Sequence, residues 1–322
     1  MSPLEKHARI YVAGGDTLIG AALLRELDRQ GYPEVVGRPG REPDLTDPAQ
    51  VEAFFARQSP QYVFVAAGKS GGIAANQNYP ADLMLDNLLV GCHLIHASYR
   101  HRVKKLLYLA SSCSYPRQSA QPMREEYLLT GPLEPTNEAY AVAKIAGVKL
   151  CQAYRQQYGA NFITGIPANT FGPGDDFAPE NSHVIAALMR RMHEAKEAGA
   201  EVVEIWGTGS PRREFIFADN LAEACLVAMD RYEGPEPVNL GGGADLSITE
   251  LASMIQQVTG FEGRVEFDAT KPDGMPVKLL ESSKLLALGW NARVGFADAL
   301  RATYDWFLQS TDGAAVGRVG RN

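Results

Sequence analysis

The chain opens with Ile10-Tyr11-Val12-Ala13 running straight into Gly14-Gly15-Asp16-Thr17-Leu18-Ile19-Gly20, after which Ile19, Leu23, Leu24 and Leu27 recur at helical spacing as far as Gly31. An apolar strand, a glycine turn and an amphipathic helix in direct succession define the start of a dinucleotide-binding fold. The helix N-terminus presents free backbone N–H groups to a pyrophosphate, so Gly14, Thr17, Leu18, Ile19 and Gly20 are expected against a cofactor. Thr17 occupies the place of a middle glycine and sets a Cβ where backbone normally approaches phosphate.

Strand and helix signals then alternate, which predicts an α/β protein of the Rossmann type, a doubly wound parallel sheet with a smaller α/β substrate-binding lobe. A second strand over 34–37 leads to Arg38 and Arg41, and an arginine after that strand accommodates a 2′-phosphate, favouring NADPH over NADH. Asp47 as N-cap and Pro48 at the first helical position open a helix ending near Arg57. Tyr62 to Ala67 is a continuous apolar strand of the kind buried on both faces, with Ala66 and Ala67 at its cofactor end and a flexible loop, 68–72, after it. A long helix follows from about Ala81 to Arg100. Phe162 to Pro167 forms another strand, with Pro167 at the cofactor, and 169–175 turns the chain away. A helix from His183 to Glu197 and a strand over 202–205 come next, and Glu214 to Ala218 reads as a return to the main sheet. Ser247 to Thr259 is a capped helix and Val265 to Phe267 a strand. The dinucleotide-binding domain is expected at 1–167 and 214–240, the substrate lobe at 168–213 and 241–311, and a loose Gly-rich tail at 312–322.

Between these elements lies Leu106 to Lys149, an apolar strand ending in Ser111, Ser112 and Cys113 followed by a helix with Tyr140 and Lys144 four residues apart. That spacing puts an ammonium beside a phenol on one helix face. The charge is expected to lower the tyrosine from its usual pKa of about 10, while a strand-end serine holds the same substrate oxygen. This is the logic of carbonyl reduction or its reverse.

A net charge of -7 argues against a sequence-independent nucleic-acid binder. Cys92, Cys113, Cys151 and Cys225 are scattered without metal-ligand or disulfide spacing, so no metal is expected and a reducing cytoplasm is the simplest home. The segment MSPLEKHARIYVAGG has no apolar signal core, and no apolar run is long enough to span a bilayer.

Four runs carry a resemblance that covers the chain from the first strand to about Phe307: SSCSYP at 111–116, LEPTNEAYAVAKIAGVKLC at 133–151, NSHVIAALMRR at 181–191 with WGTGSPRREF at 206–215, and KPDGMPVKLL at 271–280. In them the chain resembles the GDP-L-fucose synthase family, extended short-chain dehydrogenases that turn GDP-4-keto-6-deoxy-D-mannose into GDP-L-fucose. The resemblance implies an acid/base pair at Cys113 and His183 and a reductive set at Ser111, Tyr140 and Lys144, with Tyr140 and Lys144 also against the cofactor. It implies Arg191 and Arg213 at the nucleotide diphosphate, with Asn169 beside the substrate. Trp206 faces either the nucleotide or the core. A homodimer is implied, in which the helix near 81–100 and the Tyr140 helix meet their mates.

Two departures from the family stand out. Asp16 sits where an arginine helps to hold the 2′-phosphate, and Gly40 aligns with a second such arginine, so only a modest NADPH preference is expected and NADH remains open. Competing readings are the same chemistry on another GDP-linked 4-keto sugar of the colitose or 6-deoxy-heptose type, an NAD-dependent 4-epimerase or dehydratase, and a non-catalytic dinucleotide sensor. Ser112, Cys113 and Ser114 offer no carboxylate for a dehydratase, and a sensor would have no need of Tyr140 and Lys144.

Overall fold

A computed structural model of the chain describes residues 4–271, 273 and 275–312, so the expected tail lies, beyond Asp312, outside the described residues. The first half alternates β1 (Ile10–Ala13), α1 (Leu18–Arg29), β2 (Val35–Val36), α2 (Pro48–Gln58), β3 (Tyr62–Val65), α3 (Ile73–Asn78), α4 (Pro80–Arg100), β4 (Lys105–Leu109), α5 (Glu138–Tyr158) and β5 (Phe162–Pro167). The second half holds β6 (Asn169–Phe171), α6 (Val184–Glu197), β7 (Val202–Trp206), β8 (Arg212–Phe217), α7 (Ala218–Arg231), β9 (Val238–Leu240), β10 (Asp245–Ser247), α8 (Ile248–Thr259), β11 (Arg264–Asp268), β12 (Val277–Lys278), α9 (Ser283–Ala287) and α10 (Phe296–Asp312).

The main sheet is six-stranded and parallel throughout, in the order β2-β1-β3-β4-β5-β9. Strands β1, β3, β4 and β5 are wholly buried, which is why their sequences are continuous apolar runs rather than alternating ones. The order reverses at β1, so a crevice opens between the carboxyl ends of β1 and β3, the place where doubly wound sheets bind ligands.

Expected caps form as read. Asp47 accepts from the amides of Ala49 and Gln50 at the start of α2, and Ser247 with Glu250 makes a capping box on α8. Helix α5 lies close over β4 because Gly147 has no side chain: a Cβ there would stand 2.2 Å from the Tyr108 ring. That approach carries Tyr140 and Lys144 toward the end of β4.

Two expectations are corrected. Strand β8 does not return to the main sheet: it pairs with β10 and β12, and β6 pairs with it, in a smaller sheet, and the chain rejoins the main sheet through β9. Residues 169–171, expected as a turn, are β6. The physical reason is that the last three residues of β8, Phe215, Ile216 and Phe217, are buried on both faces. Ile216 enters the first hydrophobic core, while Phe215 and Phe217 enter a second one built by α6, β7, α8 and α10, so its composition fits either sheet.

Candidate active site

The chain from β4 ends in Ser111, whose hydroxyl accepts from the Cys113 amide at 3.2 Å and caps a single 3₁₀ turn. Ser111 lies close enough to the Tyr140 phenol to favour its ionised form. The Cys113 sulfur receives Asn137 Nδ2 at 3.2 Å and Lys278 Nζ at 3.5 Å. Lys278 is close enough to His183 to act on its charge state, so Cys113 and His183 face one cation. His183 keeps an open face as the N-cap of α6, yet the protein massed around its imidazole pushes its pKa down. Lys278 adds to that shift and Asp176 opposes it. The amide of Gly72, after β3, donates to the Asn181 carbonyl at 3.0 Å and ties the first half of the chain to this segment.

Lys144 is buried, donating to the Leu109 carbonyl at 3.3 Å with its Nζ 5.9 Å from the Tyr140 ring centre and 5.5 Å from that of Tyr108. The expected acidification of Tyr140 is not found. Loss of solvent pushes the phenol well up, Cys113 adds to that, and Ser111 only partly offsets it. Lys144 is itself pushed down to about 8 by burial, against the pull of Asp86. Tyr140 therefore holds its proton firmly, the state a proton donor requires.

The glycine turn meets β3 closely. A Cβ on Gly14, which has φ +82°, would stand 2.6 Å from the Ala67 Cα, and one on Gly20 would stand 1.8 Å from the Gly14 carbonyl. Thr17 caps α1, accepting from the Gly20 amide at 3.0 Å and donating to the carbonyls of Gly14 at 2.8 Å and Ala66 at 3.3 Å. Leu18 and Ile19 are left as the first amides of the helix, without intrahelical partners. Asn87 Oδ1, buried and without a partner, lies where a Gly68 side chain would be. A tight cradle, unpaired helix amides and an orphaned acceptor near Lys144 fit a dinucleotide.

Arg38 is engaged by Asp28 on α1 at 3.0 and 2.6 Å, and Arg41 is exposed. Arg213 is the register partner of Lys278 across β8 and β12, next to the Cys113 cluster. Asn169 Nδ2 donates to the Glu214 carbonyl at 3.0 Å, and Pro167 ends β5 beside Leu240. Arg191 donates to the carbonyl of Glu204 in β7, whose last residue, Trp206, is 69% exposed under Lys271, so Trp206 is not a core residue. Arg191 and Trp206 thus both lie at β7, and no side-chain contact joins them to the Cys113 cluster among the described residues.

Residues 10–241 match the model of the NAD dependent epimerase/dehydratase family. GDP-L-fucose synthase 1 of Arabidopsis thaliana is 54% identical over 306 residues, which cover 95% of each chain. The chain belongs to the GDP-L-fucose synthase family. The GDP-L-fucose synthase of Escherichia coli (strain K12) is 45% identical over 313 residues, 94% of this chain and 98% of that one. A solved GDP-L-fucose synthetase from Naegleria fowleri bound to NADP superposes with a TM-score of 0.90 at 30% identity, covering 98% of this chain and 97% of the other.

Beside the residues that mark the GDP-L-fucose synthase family, the structure brings in three that sequence reasoning missed. Lys278 and Asn137 flank the thiol, and Glu42 lies under the glycine turn, accepting from Gly14 and Gly15. Asn137 and Lys278 stand inside runs that carry the resemblance, LEPTNEAYAVAKIAGVKLC and KPDGMPVKLL, which was the available signal. Glu42 has none beyond its place after Arg41.

Proposed function

We propose that this chain converts GDP-4-keto-6-deoxy-D-mannose to GDP-L-fucose, inverting C3 and C5 and then reducing C4. The grouping of Cys113, His183 and Lys278 beside Ser111 and Tyr140 carries this reading. A 4-ketone acidifies the protons on C3 and C5, so Cys113 and His183 remove each proton and return it on the opposite face. Ser111 and Tyr140 hold the C4 oxygen while it carries negative charge. Bound NADPH supplies the hydride for C4. Tyr140 then gives that oxygen its proton, and Lys144, fixed by the Leu109 carbonyl, keeps positive charge beside the phenol.

The glycine turn with Leu18 and Ile19 takes the pyrophosphate, Ala66, Ala67 and Pro167 line the cofactor at the strand ends, and Arg38 and Arg41 meet the adenosine side. Arg213 and Arg191 pair with the GDP phosphates, Asn169 meets the sugar, and Trp206 offers an open ring to the nucleotide. Residues 168–213 and 241–311 serve as the substrate lobe, with the β8 residues 214–217 in their sheet. We infer a homodimer through α4 and α5, supported by exposed Leu85, Val142 and Tyr158 on those helices. A cytoplasmic setting is supported by four free thiols. No helix among the described residues is long and apolar enough to cross a membrane.

Incubating the purified chain with the 4-keto sugar nucleotide and NADPH tests this reading. Loss of NADPH absorbance with formation of GDP-L-fucose is expected. Stoichiometric retention of NAD with no net NADPH oxidation would instead mark a 4-epimerase.

A further inference from the structure

Glu42 places a carboxylate where a dinucleotide site tolerates negative charge least. Its Oε1 accepts from the Tyr11 hydroxyl at 2.7 Å and from the Gly14 amide at 3.1 Å, and its Oε2 accepts from Gly14 at 3.0 Å and Gly15 at 3.2 Å. Three donors hold it, so it cannot swing away when an anion arrives. It closes the first half of the turn and leaves the second half, Leu18 and Ile19, as the donors that face a ligand. The titratable groups facing it are Tyr11 on β1 and Asp16 in the turn, while α2 packs on Tyr11 with Phe54 and Phe55, which are apolar.

We propose that binding of the dinucleotide pyrophosphate is coupled to the uptake of one proton by Glu42, a statement that rests on reading this turn as the cofactor site. Two fixed phosphate charges on the same short turn repel a carboxylate that already shares the space with Asp16. Burial has pushed Glu42 up to about 7, outweighing its donors, with Asp16 adding to the shift, so a modest further push protonates it near neutrality. The proton can be housed without moving a heavy atom. Oε2 goes on accepting from Gly14 and Gly15, and Oε1 turns donor to the Tyr11 oxygen, whose own proton gives up its bond to the carboxylate. Glu42 is then a positioning residue that shapes the turn and is neutralised as the cofactor docks.

The sign follows from linkage. A group whose pKa rises on binding favours the complex in its protonated form, so affinity is highest below the free pKa and weakens as pH rises through the bound one. A further rise of about one unit weakens binding about tenfold between roughly pH 6 and pH 9, and takes up about 0.4 of a proton at pH about 7.

Calorimetric titration of the full chain with NADH, in two buffers of different ionisation enthalpy, tests this. NADH lacks a 2′-phosphate, so its own charge is constant over the range. The parent is expected to take up a fraction of a proton near neutrality, and Glu42→Gln, which keeps an acceptor for the Gly14 amide, to take up none and to bind with a pH-independent Kd. Uptake by the Glu42→Gln variant equal to the parent's would overturn the proposal. A parent that binds NADH with no proton uptake overturns it without any variant. A parent that binds neither NADH nor NADPH overturns both this proposal and the reading of the turn.

Discussion

The ammonium of Lys278 stands 3.5 Å from the sulfur of Cys113 and also pushes His183 toward its neutral form. One cation therefore lies against both proton-transfer candidates. It adds to the burial that already opposes a positive charge on the His183 ring.

Lys278→Met keeps the length of the side chain and removes its charge. Exchange of the C3 and C5 protons with solvent is expected to slow by about 10- to 100-fold, the size of one lost charge-stabilising contact, while NADPH affinity stays within about twofold. Comparing deuterium exchange rates with a cofactor titration checks both halves. Unchanged exchange would remove Lys278 from the chemistry.

Lys144 sits at about 8, lowered from 10.5 by burial. Above that value the folded protein loses the ammonium, so kcat/KM for reduction should fall on an alkaline limb near pH 8. Between the folded and ordinary values the unfolded chain binds the extra proton, so this residue's contribution to stability rises with pH over that window. A pH–rate profile flat to about pH 9.5 would contradict the assignment.

The 2′-phosphate is met by a divided set of charges. Arg38 is engaged by Asp28, and Asp16 stands in the turn where the family carries arginine. Asp16→Arg is expected to raise the ratio of kcat/KM for NADPH over NADH by about tenfold, the worth of one charge-assisted contact. Steady-state kinetics with both cofactors would show it, and a constant ratio would place the 2′-phosphate elsewhere.

Asn239 is fully buried and joins three segments, accepting from the Tyr115 hydroxyl at 2.6 Å and donating to the carbonyls of Met123 and Glu281 at 2.9 Å each. Asn239→Leu leaves these groups without partners and should cost about 3 kcal/mol in urea unfolding. A loss under about 1 kcal/mol would mean that water replaces the amide.

The main sheet was legible because β1, β3, β4 and β5 are short apolar runs bounded by turns, and Ser111, Tyr140 and Lys144 because helical spacing and a strand end bring them together locally. The smaller sheet was not: β6, β10 and β12 have only two or three residues each, and β8 opens on Arg212, Arg213 and Glu214 before its apolar end. Lys278 reaches Cys113 across 165 positions, a distance no spacing rule spans. The acidity of Tyr140 was misjudged for a different reason. Helical spacing reports which groups are neighbours but not how much water they lose, and here desolvation, with Cys113 adding to it, outweighs the contact with Ser111.

The most direct measurement is turnover of GDP-4-keto-6-deoxy-D-mannose with NADPH in heavy water, with the product read by NMR. Two proton exchanges and one reduction at a single ketone predict GDP-L-fucose carrying deuterium at both C3 and C5. A reduced product with hydrogen retained at both carbons would contradict the account.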